Sequence, residues 1–179
     1  MSPVVAFTVT NEPLSEELAT LFREHSRLIY RTAYYVTRST DDAEDVVQGV
    51  FLHLVRRGVP PGLRDNPKAY LYRAAVNLSL TAVKSRERRT LAEQAQAGWS
   101  DQSIRPTGPT ADLQEQLARA IPTLNARAVE MIVLRYEHGL AEAEIGRLLG
   151  TSRAVVAVTL FRARKRLKKL LRTPSGEKS

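Results

Sequence analysis

Cysteine is absent from the 179 residues, which excludes disulfides, thiolate zinc sites, iron–sulfur clusters and a cysteine nucleophile. Histidine is scarce: His25, His53 and His138 are scattered along the chain and offer no histidine-rich metal site. No run of 18 uncharged apolar residues occurs, so no membrane-inserting segment is expected. The opening MSPVVAFTVTNEP carries a short apolar patch without a basic start, so it does not read as a secretory leader, and the expected compartment is cytoplasmic. A glycine-rich phosphate loop, G-x-S-x-G and H-E-x-x-H are missing too. With so little catalytic chemistry left, no enzyme, no metal and no cofactor is expected.

What is present is the balance of a protein that buries a core, with 43% apolar and 26% charged residues. The length suits one or two small domains. The net charge of +8 is unevenly spread: residues 15–90 carry +4 and residues 112–172 carry +6, while 91–111 carry −1. Two basic blocks around an uncharged-to-acidic stretch favour a polyanionic partner, either nucleic acid or an anionic membrane surface.

The apolar residues Leu14, Leu18, Leu21, Phe22, Leu28, Ile29, Ala33 and Val36 recur at three- and four-residue steps and predict a long first helix. Ser39-Thr40-Asp41-Asp42 supplies cap candidates, with Asp41 and Glu44 spaced as a capping box, for a second helix running to about Arg57. Gly58-Val59-Pro60-Pro61-Gly62 stops it and opens a loop that lasts to Asn66-Pro67, where a third helix begins and runs to about Arg89. Residues 91–111 are polar, with two glycines and two prolines, and read as a flexible linker. Four helices follow, over about 112–120, 125–137, 141–149 and 152–171; the last two, separated by Gly150-Thr151, outline a helix-turn-helix. The expected fold is all-α: two small helical domains, residues 14–90 and 112–172, joined by the linker.

The final helix carries the strongest single feature, seven basic residues among the eleven from Arg162 to Arg172, with Ala163, Leu167, Leu170 and Leu171 spaced to pack inward. Cations also suit any helix carboxy-terminus, but after a helix-turn-helix outline nucleic-acid contact is the better reading. On the third helix, Arg73, Asn77, Thr81, Lys84 and Arg88 form a polar stripe opposite Leu71, Ala75, Leu78 and Ala82, beside Tyr70 and Tyr72. Taken alone, that stripe reads as a solvated face, although an asparagine amide and neighbouring arginines also suit bases and phosphates. The cluster Asp41, Asp42, Glu44 and Asp45 is explained by the helix dipole, with no histidine near enough to complete a metal site.

Together these strings resemble a known family. Leu21-Phe22-Arg23-Glu24-His25, Asp42-Ala43-Glu44-Asp45-Val46-Val47-Gln48 with Phe51-Leu52, and Tyr70-Leu71-Tyr72-Arg73 with Asn77-Leu78 resemble the first conserved domain of extracytoplasmic-function sigma factors, initiation subunits of bacterial RNA polymerase. Leu124, Val133-Leu134-Arg135-Tyr136, Gly139-Leu140, Glu144-Ile145, Leu149-Gly150 and Leu160-Phe161-Arg162-Ala163-Arg164 are similar to that family's carboxy-terminal domain, in the same order. The resemblance implies that Asp42, Glu44, Asp45, Gln48 and Phe51 dock on the polymerase core. It further implies that Arg64, Lys68, Tyr70, Arg73, Asn77, Lys84 and Arg88 engage the promoter −10 element. Arg153, Thr159, Arg162, Lys165 and Lys168 would then serve the −35 element, and an anti-sigma protein would be a further partner. The chain departs from the family pattern at Gly49 and Val55, at Ala157-Val158-Thr159, and at Ala141, where a serine or threonine is usual. Two alternatives stay open: a helix-turn-helix regulator that acts without core polymerase, and a helical protein that sequesters polymerase or another sigma factor.

Overall fold

The computed structural model describes residues 12–96, 116–117 and 119–171, and every regular element among them is helical. Helix α1 (Glu12–Thr37) ends one short link before α2 (Thr40–Arg57), with Arg38 in the left-handed region at φ 55°. The cap of α2 is Ser39, whose hydroxyl accepts from the Asp42 amide at 3.2 Å, and the expected Asp41–Glu44 box is not what starts the helix. Gly58, at φ 79°, closes α2 by donating its amide to the Leu54 carbonyl at 2.8 Å.

Within the expected loop, Pro61 starts a one-turn helix α3 (Pro61–Asp65) that drives Leu63 fully into the core. Helix α4 (Pro67–Gln96) begins as its Asn-Pro start predicts, the Asn66 side chain accepting from the Ala69 amide at 3.1 Å. It runs past Arg89 because residues 91–96 are strong helix formers without a glycine or proline. The first six residues of the expected linker are therefore helical. The remaining 97–111, with Trp99, and most of the helix expected at 112–120 lie outside the described residues.

A short turn (Ile121–Thr123) leads into α5 (Ala126–Ile132), capped by Asn125 and continued by one wide turn over Val133–Glu137. Helices α6 (Glu142–Leu148) and α7 (Arg153–Leu171) follow as the helix-turn-helix pair. Their tight join depends on Gly146, where a Cβ atom would stand 2.8 Å from the Thr151 carbonyl oxygen. Ala141 gives α6 no side-chain cap, and the Glu144 carboxylate compensates by accepting from the Ala141 amide at 2.7 Å. No helix among the described residues is long and apolar enough to cross a membrane.

One core unites Leu18, Ile29, Val46, Val50, Leu54 and Leu71 inside the α1–α4 body. The second is shared: Val129, Ile132, Leu134, Ile145, Val156 and Leu160 pack together with Val36 of α1 and Tyr72, Val76 and Leu80 of α4. The carboxy-terminal body is thus seated on α1 and α4 through apolar side chains, and the two halves form a closed arrangement.

Candidate interaction surfaces

On the α1–α2 face, Phe22 is 47% exposed and meets Phe51 edge to face at 4.9 Å between ring centroids. Beside this pair, Ser26, Arg27 and Tyr30 of α1 face Glu44, Val47 and Gln48 of α2 across an open groove. Glu44, Asp45 and Gln48 are exposed. Asp42 is engaged internally: Arg86 of α4 donates to it at 2.6 Å and to the Thr37 carbonyl at 3.1 Å, so this guanidinium ties α4 to α2 and to the end of α1. The same face exposes Leu52 and Val55. An aromatic pair bordered by carboxylates and aliphatic side chains has the composition of a protein-docking surface, and its apolar content argues against a purely solvated one.

The polar stripe of α4 is real: Arg73, Asn77, Thr81, Lys84 and Arg88 are all exposed, while Leu71 and Ala75 are buried behind them. Leu78, expected inward, is 38% exposed and lies 3.6 Å from the place a Gly49 Cβ would occupy. Tyr72 belongs to the second core. It is buried edge-on against His138 at 4.9 Å, and burial pushes its phenol up to about 12, so its ring is not presented to an unstacked base. Tyr70 is half-buried against the first core. Lys68 is exposed, and Arg64 makes a two-pronged pair with Glu17 at 2.9 and 3.0 Å, which holds that carboxyl below its usual range.

The closed arrangement brings Arg73 and Asn77 to a cavity of about 250 Å³ whose far wall is Ala126, Arg127 and Glu130 of α5. Glu130 is 3% exposed; Arg127 donates to it at 2.9 Å and Arg73 stands 3.9 Å away. Burial raises the Glu130 carboxyl, with the Arg127 hydrogen bond opposing it. Nearby, Arg31 pairs with Glu137 at 2.8 Å, Thr32 shares a hydrogen bond with the His138 ring at 3.1 Å, and Asn66 donates to the Leu148 carbonyl at 3.1 Å. Sequence reasoning missed this polar seam. The available signal was Glu130 itself, a lone carboxylate inside the apolar run Val129–Leu134, which a buried helix tolerates only with a cation beside it.

Helix α7 turns Val156, Leu160 and Ala163 inward and leaves the expected contact residues Arg153, Arg162, Lys165 and Lys168 exposed. Thr159 is half-buried, and Arg153 lies 3.7 Å from Glu142. Among the described residues no group of three or more histidine, aspartate or glutamate side chains is placed to hold a metal ion.

Comparison with known proteins follows the same division. Residues 21–89 match the family described as Sigma-70 region 2, and residues 114–167 match Sigma-70, region 4. The chain is 30% identical over 167 residues to the ECF RNA polymerase sigma factor SigE of Mycolicibacterium smegmatis, covering 88% of this chain and 62% of that protein. It is 28% identical to the ECF RNA polymerase sigma factor BldN of Streptomyces coelicolor, covering 84% of this chain and 59% of that protein. The chain therefore spans about three fifths of the length of these two relatives. In fold it is similar to CnrH, solved in complex with the cytosolic domain of CnrY, with a TM-score of 0.50, 22% identity and 88% of each chain covered. With region 2 and region 4 matched in order across most of its length, the chain belongs to the sigma-70 family, in its extracytoplasmic-function group.

Proposed function

We propose that this chain binds core RNA polymerase and directs it to promoters, with the α1–α4 body serving core docking and the −10 element and the α5–α7 body serving the −35 element. The observation that carries this reading is the pairing, in one chain, of an apolar–acidic face on α1 and α2 with two cationic helical faces on α4 and α7. The first is suited to protein and the others to duplex backbone. Phe51 with Phe22 would anchor the core, and Glu44, Asp45 and Gln48 would border that anchor. Arg73, Asn77, Lys84 and Arg88 would meet the −10 element after the carboxy-terminal body swings away from α4. Arg153, Arg162, Lys165 and Lys168 would hold the −35 duplex. In this reading the chain makes and breaks no covalent bonds; polymerase does the chemistry. An anti-sigma protein that holds the closed arrangement is the regulatory partner this reading calls for.

Gel filtration with purified core polymerase tests the docking half. Co-elution is expected, and Phe51→Ala is expected to weaken it at least ten-fold, since an aromatic anchor in a docking surface contributes about 2 kcal/mol or more. Separate elution of the unaltered chain would overturn the reading.

A further inference from the structure

The amino-terminal half of α7 presents an exposed face that is apolar where cations dominate its surroundings. Val155 is 50% exposed, Val158 48% and Phe161 61%, and Ala154 joins them on the same side. These residues are not surplus core, because Val156, Leu160 and Ala163 already fill the inward side of the helix. Arg153 stands at the start of the apolar patch, and Arg162 and Lys165 follow it on the exposed side. A helix-turn-helix places the first turns of its second helix in the major groove, with cations reaching the phosphates on either side. Valine neither donates nor accepts a hydrogen bond, so it is blind to the polar edges of the bases. The one apolar group that base pairs display in that groove is the C5-methyl of thymine.

We infer that Val155 and Val158 read C5-methyl groups of pyrimidines in the upstream promoter element, so that this helix selects thymine by its methyl and not by its carbonyl. This rests on the promoter-binding reading above and names the chemical feature recognised there. A purely protein-docking role for the patch accounts for the valines but leaves the surrounding cations without a purpose.

The test uses holoenzyme assembled from the full chain and core polymerase, on a duplex selected by that holoenzyme from a random promoter library. Each upstream thymine is replaced in turn by uracil, cytosine and 5-methylcytosine. Methyl reading predicts that thymine and 5-methylcytosine bind alike at the contacted positions. Uracil and cytosine are then each weaker by about four-fold per methyl, the equivalent of burying one such group. Val155→Ala and Val158→Ala, both at exposed positions, should keep the thermal melt and core binding of the parent and remove the difference between thymine and uracil. The inference is overturned if thymine and uracil bind alike and both differ from the two cytosines, or if all four bind alike while promoter-specific initiation persists. It is also overturned if the valine variants lose core polymerase instead of methyl discrimination. Failure of the unaltered chain to bind core at all would instead sink the promoter-binding reading itself.

Discussion

Glu130, buried in α5, stands 3.9 Å from the guanidinium of Arg73 on α4, so a carboxylate of one body faces a cation of the other that the proposed function assigns to DNA. Arg73 is half-exposed, and a second cation, Arg127, donates to the same carboxylate at 2.9 Å. Glu130→Gln keeps an acceptor for Arg127 while removing the charge opposite Arg73. Binding of the free chain to a short duplex, followed by fluorescence anisotropy, is expected to tighten by about two- to five-fold, the range of a partly exposed ion pair. Equal or weaker binding would show that this carboxylate does not compete with phosphate.

His138 gives the seam between the bodies a pH dependence. Its ring is packed against Tyr72 and hydrogen-bonded to Thr32; burial lowers its pKa, Arg31 lowers it further, and Glu137 acts in the opposite sense. The closed arrangement therefore holds the neutral ring. Its contribution is complete above the ordinary histidine value of 6.5 and is lost as pH falls below that value toward the depressed one. Small-angle scattering between pH 7.5 and 5.5 should show the chain expanding, whereas His138→Gln should flatten the response. An equal response from both proteins would assign the expansion to other groups.

Lys165 and Lys168 lie on the exposed side of α7 and have no place in the core. If each neutralises one phosphate, replacing either with glutamine lowers the slope of log affinity against log salt by about 0.9 and weakens binding evenly across sequences. Titrations at several salt concentrations measure this directly. A slope identical to that of the parent would remove the residue from the phosphate contacts.

Gly146 has no room for a side chain. Its Cβ would sit 2.8 Å from the Thr151 carbonyl and 3.3 Å from the Arg153 amide nitrogen, both backbone atoms. Gly146→Ala is expected to cost about 1–3 kcal/mol by forcing α6 from the turn that precedes α7. Calorimetry should show a lower melting temperature, and an unchanged one would mean that the turn yields freely.

Much of this was legible in the sequence, because the helices are written in local signals. Asn66-Pro67 starts α4, Gly58 stops α2, and the three- and four-residue spacing of Ile29, Ala33 and Val36 marks the buried side of α1. The exposed stripe from Arg73 to Arg88 was visible for the same reason. What was not legible depends on residues far apart in the chain. The seam joining Arg31 to Glu137 and Thr32 to His138 spans 106 positions, and no periodicity reports such a contact. How deeply Tyr72 is buried was not legible, because an aromatic next to a basic stripe has the same local pattern whether it faces solvent or a second body. Asp42 was legible as a first-turn acid, yet its partner Arg86 lies 44 residues away.

Run-off transcription with purified core polymerase, on templates drawn from a promoter library, tests the central claim most directly. The account predicts discrete transcripts that appear only when this chain is added and that vanish when the upstream or downstream promoter element is scrambled. Core polymerase giving the same products with and without the chain, on every template, would contradict it.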